Sequence, residues 1–238
     1  MSMRARALVE RFGPHPARSL GIDLASDAGP GRWLVAACLL AGRGGEERAL
    51  AAFRALEHAG LDEPGALAEA EVEGVVRLLR DGNHAAPEST AAVLVRTGAA
   101  LTAFDGSPRQ LAADALDLAD LGGRLVRLAP GFGSATALRF LRPLRGILRA
   151  AAETPLDRPS RAAAIHLGWS NEGEDEEGAP GSLAAELQRQ DDAPDLADVE
   201  AALSRLGARA CLRGRVRACP LGDACPARQT PDDRPQAR

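Results

Sequence analysis

Apolar residues recur along this chain at three- and four-residue spacing, interrupted at short intervals by glycine, proline and aspartate, which is the pattern of successive short helices. Residues 1–12 predict a short amphipathic helix, stopped by Phe12-Gly13-Pro14-His15-Pro16 because proline has no N–H to give a helix interior. A stretch rich in Gly, Pro and Asp runs to Arg32, and a nearly all-apolar helix is expected over 33–40. Helical spacing resumes over 46–59, 68–79 and 91–103, with Glu63-Pro64 as an acid-proline helix entry and Asp81-Gly82-Asn83-His84 and Pro87 as interruptions. A further helix is expected over 107–118, ahead of Gly122-Gly123. In the arginine-rich segment 137–152, Arg139, Arg142, Arg145 and Arg149 share one helical stripe that Pro143 should kink or break. Residues 183–206 predict another helix. The chain carries no strand-hairpin signal and no internal repeat.

Composition points the same way. Hydrophobic residues make up 45% of the 238 positions but aromatics only 3%, and alanine and leucine dominate. That balance favours helices over a sheet, which would draw on β-branched and aromatic residues. The length suffices for one large domain or two modest ones. With no transmembrane-length apolar run and no secretory h-region, the expectation is a cytoplasmic protein without a membrane partner. Residues 171–181 form an acidic, glycine-containing loop with little prospect of order, and the polar tail 229–238 is expected to be disordered.

All 29 basic residues are arginine, and the chain has no lysine. Compositional drift can account for this, but its chemical consequence stands: no side-chain amine is available to attack as a nucleophile or form a Schiff base. The net charge of −4 does not favour binding to phosphates.

The most informative stretch is Leu128-Ala129-Pro130-Gly131-Phe132-Gly133-Ser134-Ala135-Thr136-Ala137. Two glycines around one apolar anchor permit a tight turn between two helices. Such a turn leaves the first N–H groups of the following helix facing outward, a small anion site suited to a nucleic-acid phosphate.

This segment resembles the helix-hairpin-helix of the endonuclease III-like DNA glycosylases, whose pattern is Leu-Pro-Gly-hydrophobic-Gly-x-x-Thr-Ala. Downstream, Asp157 followed by Leu167-Gly168 is similar to that family's catalytic aspartate and the helix behind it. Upstream, residues 33–40 and 72–76 resemble its early apolar helices, and Cys211, Cys219 and Cys225 resemble part of its iron–sulfur loop. The resemblance extends over roughly residues 8–228. It implies an all-α fold of two helical domains flanking a DNA-binding cleft. One domain, residues 32–149, would hold the hairpin; the other would combine residues 1–31 with 150–228 and carry the cysteine loop.

The resemblance also assigns roles. Gly131, Phe132, Gly133, Ser134, Ala135 and Thr136 would grip a phosphate of double-stranded DNA. Asp157 would stabilise positive charge developing on the sugar of a flipped nucleotide, or activate the attacking water. The plainer reading of Asp157 is a helix N-cap ahead of Pro159. Family members that cut the strand carry lysine two residues past the hairpin's second glycine; here that residue is Ala135, so lysine-type lyase chemistry is not expected. Arg43 stands where the family has a glutamine that fills the space left by the flipped base. A solvated cation at a helix end is the alternative. His84 could contact DNA or a base, with a simple turn histidine as the plainer reading, and His166 is read as packed or exposed.

The cysteine loop reads Cys211-x7-Cys219-x5-Cys225, against a family pattern of Cys-x6-Cys-x2-Cys-x5-Cys. A 4Fe-4S cluster takes four thiolates. Three could hold one with a foreign fourth ligand, a three-iron cluster, or zinc with a nearby His or Asp such as Asp223; they could also be the remnant of a lost cluster. Cys38 reads as a core residue. Arg213, Arg215 and Arg217 are placed for phosphate contact. The expectation is a monomeric, nucleoid-associated DNA glycosylase that removes a damaged or mismatched base. The alternatives are a DNA-binding paralogue without chemistry and a protein-interaction module using the acidic insert.

Overall fold

Proline sets where many of the helices begin. Pro64, Pro87 and Pro108 each occupy the first turn of a helix, where a missing N–H breaks no hydrogen bond. The computed structural model describes residues 4–42, 44–171, 173, 178–215 and 217–226, and within them every regular element is helical, with no strand. None of the described helices is long and apolar enough to cross a membrane.

The chain divides into two compact units, Pro16–Thr154 and a second made of Met1–His15 with Pro155–Arg238. The second, terminal unit opens with α1 (Ala5–Phe12). The middle unit then runs through α2 (Pro16–Ser19), α3 (Gly29–Leu40), α4 (Glu46–His58), α5 (Pro64–Ala68), α6 (Val72–Asp81), α7 (Pro87–Leu101), α8 (Pro108–Ala113), α9 (Leu118–Val126) and α10 (Ser134–Leu141). The terminal unit resumes with α11 (Arg158–Leu167), α12 (Ala179–Gln188) and α13 (Leu196–Arg209).

In the middle unit α3 is the hub. From Trp33 onward it is apolar on all sides, and residues Trp33 to Leu39 are buried among Phe53, Leu94, Phe140 and Leu141. The indole nitrogen this brings inside, Trp33 Nε1, donates to the carbonyl of Phe140 at 3.0 Å. The terminal unit buries Leu8, Ala163, Ala164, Val199 and Leu203 around the pairing of α11 with α13. Its two stretches of chain are tied by polar contacts as well. Arg205 Nη1 donates to the carbonyls of Phe12, Gly13 and Pro14 at 3.1, 2.7 and 2.9 Å, and the His15 N–H donates to Asp198 Oδ1 at 2.8 Å.

The seams between units lie at 15/16 and 154/155, whereas the resemblance implies 31/32 and 149/150. The reason is burial: Ala17, Leu20 and Ile22 at one end, and Ala150 and Ala151 at the other, enter the core around α3. The single helix expected over 183–206 is two, α12 and α13, separated around Asp191, Asp192 and Pro194. Gly122 and Gly123 lie inside α9, which Asp117 starts by accepting the N–H of Asp120 at 2.8 Å. Pro143 ends the stripe as expected: α10 stops at Leu141 and a 3₁₀ turn, Arg142–Leu144, follows.

Candidate phosphate turn and carboxylate site

The turn between α9 and α10 is built by three residues with distinct tasks. Gly131 takes φ +96°, and a Cβ there would stand 2.8 Å from Cγ2 of Val93 on α7. Glycine is therefore required both for its backbone angle and for the space. Phe132 is 2% exposed and anchors the turn in the core beneath α10. Gly133 caps α10 in an extended conformation, its carbonyl accepting from the N–H groups of Thr136 and Ala137 at 3.0 Å each. The amides of Ser134 and Ala135 precede those bonds, and no side chain caps them.

Of the six turn residues, Gly131, Gly133, Ser134 and Ala135 are exposed, while Phe132 and Thr136 are buried. The two buried side chains support the turn from within and do not reach a ligand at its surface.

Asp157 is the N-cap of α11. Its Oδ1 accepts the N–H of Ser160 at 2.7 Å, and its Oδ2 accepts the hydroxyl of Ser204, on α13, at 2.8 Å. Both the plain reading (a cap) and a second contact that the sequence reading missed are thus present in one carboxylate. The partner residues come from one face of α13, where Glu200, Ser204 and Gly207 fall at helical spacing. The Glu200 carbonyl accepts the Ser160 hydroxyl at 3.1 Å. At Gly207 the two helices approach so closely that a Cβ would stand 1.9 Å from the carbonyl oxygen of Pro159. A glycine and a serine on the same face of a helix were the only signal available in advance. They do not say which carboxylate the face meets.

His84 is buried and has a defined internal role. Its Nδ1 accepts the N–H of Ala86 at 3.3 Å, which assigns the proton to Nε2, 3.2 Å from the carbonyl of Leu39. The next carbonyl, of Leu40, accepts from Arg139 Nη1 at 2.7 Å, and Arg145 Nε donates to Thr154 O at 2.6 Å. Two members of the arginine stripe therefore hold backbone rather than face a ligand. Arg43, just beyond the end of α3, lies outside the described residues, as do 172, 174–177 of the acidic insert and the whole of the tail 229–238.

The three C-terminal cysteines belong to the terminal unit's apolar cluster, Cys219 and Cys225 buried and Cys211 half-buried. Burial, followed by the neighbouring thiols of Cys219 and Cys225, pushes the Cys211 thiol up to about 11. Among the described residues no group of three or more His, Cys, Asp or Glu side chains is arranged to hold a metal ion. Three thiols are also one short of a cubane's set. Arg213, Arg215 and Arg217, between Cys211 and Cys219, are exposed. Burial pushes the thiol of Cys38 up to about 12, which keeps it protonated and unreactive in the α3 core.

Compared with models of known protein families the chain matches none, and no curated protein matches it.

Proposed function

We propose that this protein is a divergent, endonuclease III-like DNA glycosylase of helix-hairpin-helix type that releases a damaged or mismatched base from duplex DNA. The observation that carries the reading is the turn Gly131-Phe132-Gly133. It combines a glycine-only backbone angle, a buried aromatic anchor and a helix start at the exposed Ser134 and Ala135 that no side chain caps. That is the chemistry of a backbone phosphate grip. The all-helical fold of the described residues and a unit assembled from both ends of the chain also support it.

In this reading Asp157 faces the sugar of the flipped nucleotide. As the bond from C1′ to the base nitrogen breaks, its carboxylate offsets the positive charge on the sugar. A water oxygen then bonds C1′, and the water's proton leaves with the departing base. Ser160 and Ser204 take one acceptor direction on each carboxylate oxygen, and the remaining lone pairs stay available to water or substrate. With alanine at position 135 and no lysine, the reaction stops at an abasic site. A metal clamp in the terminal unit would draw on Cys211, Cys219 and Cys225 and would need a fourth ligand from elsewhere.

The test is base release from a panel of lesion duplexes, with alkali added to cut the resulting abasic sites. Release that requires alkali for strand scission, is not trapped by borohydride, and is lost in Asp157→Asn is the expected result. No release from any lesion would refute it. A second reading, a DNA-binding paralogue without chemistry, is favoured by the fact that both oxygens of Asp157 serve internal hydrogen bonds. Salt-sensitive duplex binding with no base release would select it.

A further inference from the structure

We propose that Ser204 is the positioning residue for the Asp157 carboxylate, and that Gly207 sets the distance at which it acts; this rests on the glycosylase reading above. An N-cap fixes a carboxylate at one oxygen only. The bond from the Ser160 N–H holds Oδ1 and leaves the group free to swing about that contact. The Ser204 hydroxyl, 2.8 Å from Oδ2, is a second fixed point, and the two contacts together with the covalent link to Cβ set the carboxylate plane. A hydroxyl does this without neutralising the charge, as an arginine would, so the full negative charge remains for a cationic sugar.

The bond is surplus to helix packing. The start of α11 is already tied to α13 one turn earlier, where Ser160 Oγ donates to Glu200 O, and it is brought into backbone contact three residues later at Gly207. Ser204 and Asp157 are both only half-buried, so the pair borders solvent, where a substrate could approach, instead of lying in the core. The spacing Glu200, Ser204, Gly207 therefore places a tether, an aiming group and a gap on one helical face.

The experiment measures single-turnover base release at saturating enzyme for wild type, Ser204→Ala, Ser204→Thr and Asp157→Asn, together with duplex affinity. It also records the isotope-edited infrared carboxylate band that Asp157→Asn removes. For Ser204→Ala the expected result is a rate lower by about tenfold to a hundredfold, the value of a hydrogen bond to a charged group, with duplex affinity within about twofold. Ser204→Thr retains the hydroxyl and should restore the rate, and the infrared band should shift in the alanine variant alone. An alanine variant as fast as wild type, or an unshifted band, overturns the positioning role and leaves the glycosylase reading intact. A wild type that releases no base from any lesion overturns both, even if the band shifts.

Discussion

Gly207 and Pro159 meet backbone to backbone: a Cβ on the glycine would lie 1.9 Å from the proline's carbonyl oxygen. That contact lets α13 lie against the first turn of α11 and brings Ser204 within reach of Asp157. A methyl group cannot be accommodated by rotating a side chain, because the obstacle is main chain. Gly207→Ala should therefore destabilise the terminal unit by about 1–3 kcal/mol or more, the range for an overpacked core. Thermal unfolding should register this as a drop of several degrees, about 2–4 °C for each kcal/mol. An unchanged melting temperature would mean that the helices can separate without cost.

At Gly131 two penalties combine. An alanine there would have to hold φ +96° and would also press on Val93. The backbone part costs about 1–3 kcal/mol, and the steric part adds to it. Trimming the neighbour in the double variant Gly131→Ala with Val93→Ala should recover only the steric share. Denaturant melts of both single variants and the double variant measure this: strict additivity would show that Val93 does not limit the turn.

His15 should make stability depend on acid. Burial, and then the charge of Arg205, lower its imidazole from 6.5 to about 3. Between those values the unfolded chain takes up a proton that the folded chain refuses. Stability from this group is therefore complete above pH 6.5 and lost as the pH falls toward 3, by up to about 1.4 kcal/mol per pH unit. Comparing melting temperatures of wild type and His15→Gln from pH 7 to pH 5 isolates the effect from carboxylate titration at lower pH. Parallel curves would contradict it.

The cysteine loop yields a compositional test. If it holds a cluster, anaerobically purified protein should be coloured and should contain iron and sulfide, both lost in Cys219→Ser or Cys225→Ser. Zinc in place of iron would point to a different clamp at the same thiols. Colourless protein free of iron and zinc would remove metal from the account. Cys38 should resist thiol reagents until the protein unfolds, because burial holds it protonated.

Much of the fold follows from local pattern, and the parts that do not are those fixed by distant contacts. The starts at Pro64 and Pro108 and the break at Pro143 express proline's missing donor, which acts at its own position. The seam at 15/16 depends instead on where Ala17, Leu20 and Ile22 find a core, and those three sit in a segment that looks like linker. Asp157 could be singled out as a cap, since capping involves residues three apart. Its second partner lies 47 residues away, beyond any local pattern. His84 shows the same limit: its buried strut role depends on the carbonyl of Leu39, 45 residues earlier.

The arginines that hold carbonyls bear on how salt would act on this protein. Arg205 donates to the carbonyls of Phe12, Gly13 and Pro14, Arg109 to those of Leu24, Ala25 and Ser26, Arg139 to that of Leu40 and Arg145 to that of Thr154. A guanidinium held this way keeps its charge but is tethered to the main chain and is less able to reach a phosphate, so formal charge overstates the number of cations that can pair with DNA. Binding affinity plotted against ionic strength should thus have a shallow slope, one unit of about 0.9 for each phosphate neutralised, set by the exposed arginines alone. Arg213 and Arg215 are exposed, and their removal should flatten it further.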